Sequence, residues 1–257
     1  MSQDRFHRLS MFIRFDDAET RSTRRKKDKL APIREIWDFI NNRLGIHYMT
    51  GENLTVDGQL VAFRGRCPFK QYLPSKPGKY GMKIWWIADS KTKYPLGELP
   101  YLAKEGNQRA NGLGEKVVEE LSRPYRRTNR NITCDNYFTD IDLARNLLKN
   151  GLTIVGTVRK NKRFIPKEFL PSKTKEKGSS MFGFTPEFTL VSYVPQPMKA
   201  VILLSTMHHD LETDEQSLKP MVINYYNSTK AGVDGLDQMV HFYSSKLRTN
   251  RWPFEFL

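Results

Sequence analysis

Apolar residues recur at helical spacing twice near the start of the chain, first at Phe6, Leu9, Ile13 and Phe15, then more regularly at Ile33, Ile36, Trp37, Ile40 and Leu44. Two helices are expected, one within residues 4–17 and one opened by Pro32, a residue that suits a first helical turn. Between them Arg21-Ser-Thr-Arg-Arg-Lys-Lys-Asp-Lys29 has no apolar face, so it reads as a solvated connector or an arm for phosphates. From residue 53 the period shortens. Leu54, Val56, Leu60, Val61 and Phe63 form a strand-like run with Asp57 inside it, and Met82–Ala88 forms another after a Pro/Gly-rich connector. A short strand around Gly97–Leu102, a helix at Gly114–Leu121, a strand at Asn131–Asp135, a helix at Ile141–Leu148 and a strand at Leu152–Val158 follow.

That order, strands first and then helix alternating with strand, predicts a mixed sheet in an α/β layer fold. Residues 160–220 break the alternation with Pro166, Pro171, Pro186, Pro195, Pro197 and Pro220, and with short β-like runs at Phe188–Tyr193 and Ala200–Leu204. They read as an inserted small β unit. Met221–Tyr226 then reads as a strand and Gly232–Ser245 as a helix.

With 257 residues, 39% of them hydrophobic, the chain can bury one large core or two small ones. Its 42 Lys and Arg against 28 Asp and Glu leave a charge of +14, which makes a polyanion, nucleic acid foremost, the expected partner. No apolar run is long enough to span a bilayer and no signal-peptide core follows Met1, so the expectation is a soluble, intracellular protein without membrane contact. Cys67 and Cys134 stand apart without Cys-x-x-Cys spacing, which argues against a disulfide framework or a structural zinc site and fits a reducing compartment.

Three aspartates carry the candidate chemistry: Asp57 in Thr55-Val-Asp-Gly-Gln-Leu60, Asp135 in Thr133-Cys-Asp-Asn-Tyr-Phe-Thr139, and Asp234 in Gly232-Val-Asp-Gly-Leu-Asp-Gln-Met239. Carboxylate oxygens are hard ligands suited to Mg²⁺ or Mn²⁺, and two such ions can clamp both oxygens of a phosphoryl displacement. Asp57 and Asp135 fall on or at the ends of strands, while Asp234 and Asp237 lie at i and i+3 of a helix, where they share a face. An isolated Asp is more often a cap or turn residue, and Asn136 and Gly235 would also fit turns. Arg64 and Arg66, flanking Gly65, are candidate phosphate clamps, and Arg126, Arg127 and Arg130 in the run before the Asp135 strand are candidate DNA contacts. His208-His209-Asp210 reads as a polar loop before a metal site, and Trp85-Trp86 as core before a base-stacking platform.

Seven segments together resemble the piggyBac family of DNA transposases: Leu54–Leu60, Phe63–Phe69, Lys76–Lys83, Asn131–Thr139, Ile154–Arg159, Tyr225–Asp234 and Thr249–Pro253. The resemblance spans nearly the whole chain in one order. It implies a ribonuclease-H-like core over 53–159 and 221–245, interrupted by an insertion domain at 160–220. A helical dimerisation and DNA-binding region at 1–52 would precede the core, and the start of a further DNA-binding region at 246–257 would follow it. It also implies that Asp57, Asp135 and Asp234 are catalytic and hold Mg²⁺ or Mn²⁺, with Asp237 as a fourth carboxylate, and that Arg159 and Lys162 serve target joining. The implied reaction is cut-and-paste transposition: hydrolysis of one strand at the element's end, hairpin formation by the freed 3′-hydroxyl, and joining at TTAA, by a homodimer in the nucleus. Gly58 departs from the Glu that the family usually carries there. The chain stops just after Asn250–Pro253, which implies a fragment of a longer protein or a truncated relic. The other reading is a non-catalytic, transposase-derived DNA-binding or interaction protein. Convergence of the three carboxylates on a common point favours the first reading; splaying by Gly58 or by a frayed third helix favours the second.

Overall fold

The run that begins at Leu54 forms β1 (Asn53–Ala62), and the other strands are arranged about it. The computed structural model describes residues 1–103, 112–244 and 249–256. On one side β1 pairs antiparallel with β3 (Tyr80–Asp89), which also pairs with β2 (Gln71–Tyr72) and β4 (Pro95–Pro100). On the other it pairs in parallel with β5 (Asn131–Cys134), which pairs in parallel with β6 (Thr153–Thr157). Parallel neighbours need a crossover, and α5 (Ile141–Lys149) supplies it between β5 and β6, with α4 (Leu113–Ser122) preceding β5. The fold is the expected mixed α/β sheet.

The stretch between β6 and residue 220 is β-rich, as expected, and continues that sheet. Its strands β7 (Ser180–Phe184), β8 (Thr189–Gln196) and β9 (Lys199–Ser205) join at the β6–β9 antiparallel pair, giving one nine-stranded sheet. The segment expected as a strand at Met221–Tyr226 is instead the helix α6 (Met221–Thr229). Its β-branched and aromatic residues suggested extension, but Pro220 precedes the first turn, and Val222 and Ile223 pack on Val155, Val191 and Leu203 of the sheet. Packing overrides propensity here. After it comes α7 (Gly232–Phe242); the helix end expected at Ser245 lies outside the described residues.

Side chains alternate across β1 and divide its two faces by chemistry. Leu54 and Val56 join Trp85 and Ile87 against Val117, Val118, Leu143 and Leu147 of α4 and α5 in a dry core. Thr55 and Gln59 point the other way, Thr55 bonding the Thr229 carbonyl of α6 and Gln59 bonding Asp237 of α7.

Three helices, α1 (Gln3–Phe12), α2 (Ala18–Arg24) and α3 (Arg34–Leu44), precede the sheet, and α8 (Trp252–Phe256) returns to them. Leu30, Ile33 and Trp37 share a second core with Phe63, Phe69, Met82, Ile84, Trp252 and Phe256, where Trp37 stacks on Phe256 at 4.7 Å. The basic stretch at Arg21–Lys29 begins inside α2, and Arg21 and Arg24 both pair with Asp16, whose side chain is 3% exposed. That part of the stretch is tied to the protein. At β4 the Asn41 side chain of α3 bonds both the N–H and the carbonyl of Glu98, at 2.9 and 3.1 Å, covering that strand's backbone as a neighbouring strand would.

Candidate active site

The β1–β5 register sets Val56 beside Cys134, so the residues that follow, Asp57 and Asp135, emerge next to each other on neighbouring strands about 4.8 Å apart. Asp234 sits in the first turn of α7, where the helix's partial positive charge favours a carboxylate. The three line one cleft of about 70 Å³ with Thr55, Val56, Cys134, Tyr226 and Lys230.

Local chemistry holds each aspartate in place. The Tyr137 N–H donates to Asp135 Oδ1 at 2.8 Å, and the Thr139 N–H and hydroxyl donate to the Asp135 carbonyl at 3.1 and 2.9 Å, closing the Asp135–Thr139 segment into a tight turn. β6 can approach that turn because residue 156 is glycine; a Cβ there would overlap the Thr139 hydroxyl. The approach of α7 to β1 is as close. A Cβ on Gly232 would lie 2.6 Å from Thr55 Cβ, and Thr55 donates to the Thr229 carbonyl at 2.6 Å while sharing a 2.8 Å bond with Ser90. Thr133 of β5 donates to the Thr229 hydroxyl at 2.9 Å. Buried hydroxyls from β1, β5 and the loop after β3 thus converge on the end of α6 and set where α7 begins.

Burial is the main force that pushes the Asp57 carboxyl up to about 6; the charges of Asp135 and Asp234 add to it, opposed by the Gly58 N–H and by Lys76. Burial likewise lowers Lys83, against the pull of Asp135 and Asp57, and pushes the Tyr226 phenol up to about 12, so that it stays protonated at neutral pH. The donor set, hard oxygens with an excess of negative charge, fits a divalent cation. The ligands are not gathered around a point: among the described residues no three His, Cys, Asp or Glu side chains stand close enough to hold a metal ion. Oδ1 of Asp57 and Oδ1 of Asp135 each accept from a backbone amide, Gly58 at 2.6 Å and Tyr137 at 2.8 Å, and Asp234 is exposed at the open side of the cleft. Gly58 keeps its register opposite Trp85, and the first turn of α7 is formed, with Gly232 and Val233 buried.

The family model described as Transposase IS4 matches residues 1–257, the whole chain. The chain belongs to the Transposase IS4 family. Within that family its likeness is to piggyBac. It superposes on a chain of the piggyBac transposase synaptic complex with hairpin DNA with a TM-score of 0.94 and 48% identity, covering 100% of this chain and 54% of that one. It is 25% identical over 243 residues to the human PiggyBac transposable element-derived protein 3, covering 88% of this chain and 41% of that protein. The human Chimeric ERCC6-PGBD3 protein matches at the same identity, with 23% of its length covered. The chain therefore spans less than half the length of these curated relatives. The family implies a requirement for a divalent metal.

The other candidates of this transposase-family chain fall in different places. Asp237 does not line the cleft; it accepts from Gln59 Nε2 at 2.6 Å, and Gln59 in turn accepts from the Trp86 indole at 2.8 Å. Arg159, just past the end of β6, donates to the Asn136 side chain at 3.4 Å and lies over the Tyr137 ring, while Lys162 pairs with Asp140. Both are at the Asp135 end of the parallel strands. Arg126, Arg127 and Arg130 are at the opposite end, and Arg130 is occupied by the carbonyls of Gly51 and Thr50, at 2.8 and 3.1 Å. Arg64 and Arg66 are exposed on the loop after β1, outside the cleft lining. His208 belongs to a polar loop, its Nδ1 bonded to the Ser205 hydroxyl at 2.8 Å. Sequence reasoning passed over Thr55, Thr133, Thr229 and Gly232, which set the α7 approach, and Tyr226 and Lys230, which border the cleft. All but Thr133 and Thr55 lie in Tyr225–Asp234; a Thr and a Gly shortly before a helical Asp were the available signal for close packing.

Proposed function

We propose that this chain is the catalytic region of a piggyBac-like transposase, which cleaves DNA strands at an element's ends and joins them at TTAA. The observation that carries the reading is the meeting of Asp57, Asp135 and Asp234, from two strands and a helix, at one cleft where Asp57 is pushed up to about 6. These three residues would hold Mg²⁺ or Mn²⁺. Bound there, the cation supplies neutralisation of phosphoryl charge and a more acidic attacking water or hydroxyl.

The chain's own groups do the rest. Lys230 borders the cleft and can meet an incoming phosphate, and Arg159 offers a second cation beside Asn136 at the same end. The hydroxyls of Thr55, Thr133 and Thr229 keep Asp234 in register with the strands, and Asp237, anchored by Gln59, steadies the second turn of α7. Arg64, Arg66, Arg126 and Arg127 extend the basic surface along DNA, in a nuclear homodimer.

A metal-dependent nicking assay on a DNA end abutting TTAA tests the proposal. Residues 1–257, alone or joined to a relative's C-terminal segment, should nick with Mn²⁺, and Asp135→Ala should abolish it. The ungathered carboxylates favour one competing reading, a DNA-binding protein without catalysis. Tight DNA binding with no nicking in either form would establish that alternative.

A further inference from the structure

On the face of β1 opposite Asp57, Gly58 stands across from Trp85 in the β1–β3 register. A Cβ on Gly58 would meet Lys83 Cε at 3.4 Å and the Trp85 indole at 3.5 Å (Cδ1) and 3.8 Å (Nε1), so the glycine leaves a notch floored by that indole. Trp85 is 4% exposed, and its N–H has no hydrogen-bond partner among the described residues. Buried N–H groups without partners are uncommon and costly. The neighbouring Trp86 shows the usual arrangement, donating to Gln59. The Lys83 ammonium lies 4.9 Å from the Trp85 ring and 4.7 Å from the Tyr137 ring, and Arg159 lies over the other end of this group, 5.6 Å from Tyr137. One place therefore holds, among the described residues, an unpaired N–H donor and two cations on an aromatic frame.

We propose that Gly58, Lys83 and Trp85 form an oxyanion notch that takes a backbone phosphate of DNA. The proposal rests on the reading of the chain as a DNA-processing protein and extends it to the other face of β1. Three features select the ligand. The groups that line the notch are an N–H donor and cations, with Asp135 and Asp57 acting on Lys83 only through space; the chain carries +14; and Tyr137, which backs Lys83, is two residues from Asp135, so a strand at the aspartates passes the notch. Entry needs the Lys83 stem to swing off the indole, a rotation of a partly exposed, flexible side chain.

The test uses the full chain, ¹⁵N-labelled and held in chelator, titrated separately with a duplex oligonucleotide and with inorganic phosphate. The Trp85 indole resonance, assigned by its loss in Trp85→Phe, reports the new hydrogen bond. The oligonucleotide should shift it, and binding should weaken about 10-fold in Lys83→Met and in Trp85→Phe, the usual size for loss of one hydrogen bond to a charged group. Gly58→Ala, whose Cβ fits at ordinary contact distance, should bind as the parent does; Gly58→Glu, whose carboxylate fills the notch, should lose at least about 10-fold. An indole unmoved by either titrant overturns the notch, and a shift with inorganic phosphate alone overturns the assignment to DNA. No divalent cation is present, so the outcome is separate from catalysis. A chain that fills the notch but never nicks DNA refutes the transposase reading alone, and one that nicks with Trp85 unmoved refutes the notch alone.

Discussion

β5 is only four residues long, yet its two ends are chemically unlike. Its amino end follows Arg126, Arg127 and Arg130, of which Arg130 holds the carbonyls of Thr50 and Gly51. Its carboxyl end carries Asp135 and, on the neighbouring strand's exit, Arg159 over an aromatic ring, with Asp57 and Asp234 at the same cleft. Carboxylates that share a cleft collect at one end, and an arginine bound to backbone carbonyls stands at the other. The direction of the strands locates the site, because parallel neighbours deliver their following loops to the same edge.

The sharpest way to break this contrast is to disturb the closest packing at the carboxyl end. Gly232→Ala pushes a methyl against Thr55 and moves the first turn of α7, which carries Asp234. Nicking should fall by about 10²-fold, because an error of ~1 Å in a catalytic group costs that much, while DNA affinity changes little. Gly235→Ala is the comparison, since its Cβ would meet only the flexible Lys93 side chain. Equal losses in both variants would show that the helix as a whole, and not its approach to β1, is what matters.

Two raised carboxyls, level with each other across the sheet but in different surroundings, answer differently to pH. Asp57 is raised to about 6 by burial, with help from Asp135 and Asp234, whereas Glu98 on β4 is raised to about 8 by burial alone. Both bind a proton more tightly folded than unfolded, so each contributes stability below the unfolded carboxyl pKa of about 4 and loses it as pH rises, through about 6 for Asp57 and about 8 for Glu98. In metal-free protein at pH 7, Asp57→Asn should stabilise by about 2 kcal/mol, allowing for its partial exposure. Mn²⁺ should then raise the melting temperature of the parent and of Glu98→Gln but not of Asp57→Asn. A metal response that survives Asp57→Asn would remove Asp57 from the ligand set.

Much of this was legible in the chain, for a physical reason. The alternation around Asp57 and the helix–strand order after residue 113 follow from periodicity, and the mixed sheet follows from them. Met221–Tyr226 was misread because valine, isoleucine and tyrosine favour strands in isolation, and only the hydrophobic patch of Val155, Val191 and Leu203 makes them helical. Arg130 reads in the sequence as a candidate DNA contact, and its partners in the fold, backbone carbonyls about 80 residues earlier, are ones no local pattern reveals. The hydroxyls of Thr55 and Thr133 were invisible for the same reason. Which carboxylates share a cleft was inferred only through the family resemblance; spacing alone could not have put Asp234 beside residues of the central strands.

The smallest predicted effect tests the two ends directly through salt. Each phosphate contact made by an arginine contributes about one unit to the slope of log affinity against log salt. Arg159 is exposed, with its guanidinium shared only between Asn136 and the Tyr137 ring, so Arg159→Ala should flatten the slope by about one. Arg130→Ala should leave the slope unchanged and instead lower stability by about 1 kcal/mol, since what it removes is two bonds to Thr50 and Gly51 just before β1. At this chain length that is a drop of about 2–4 °C in melting temperature. The two variants thus exchange signatures, one read in binding and the other in melting. If Arg130→Ala flattens the slope while Arg159→Ala does not, Arg130 meets a phosphate and Arg159 does not, and the roles given to these two arginines are wrong.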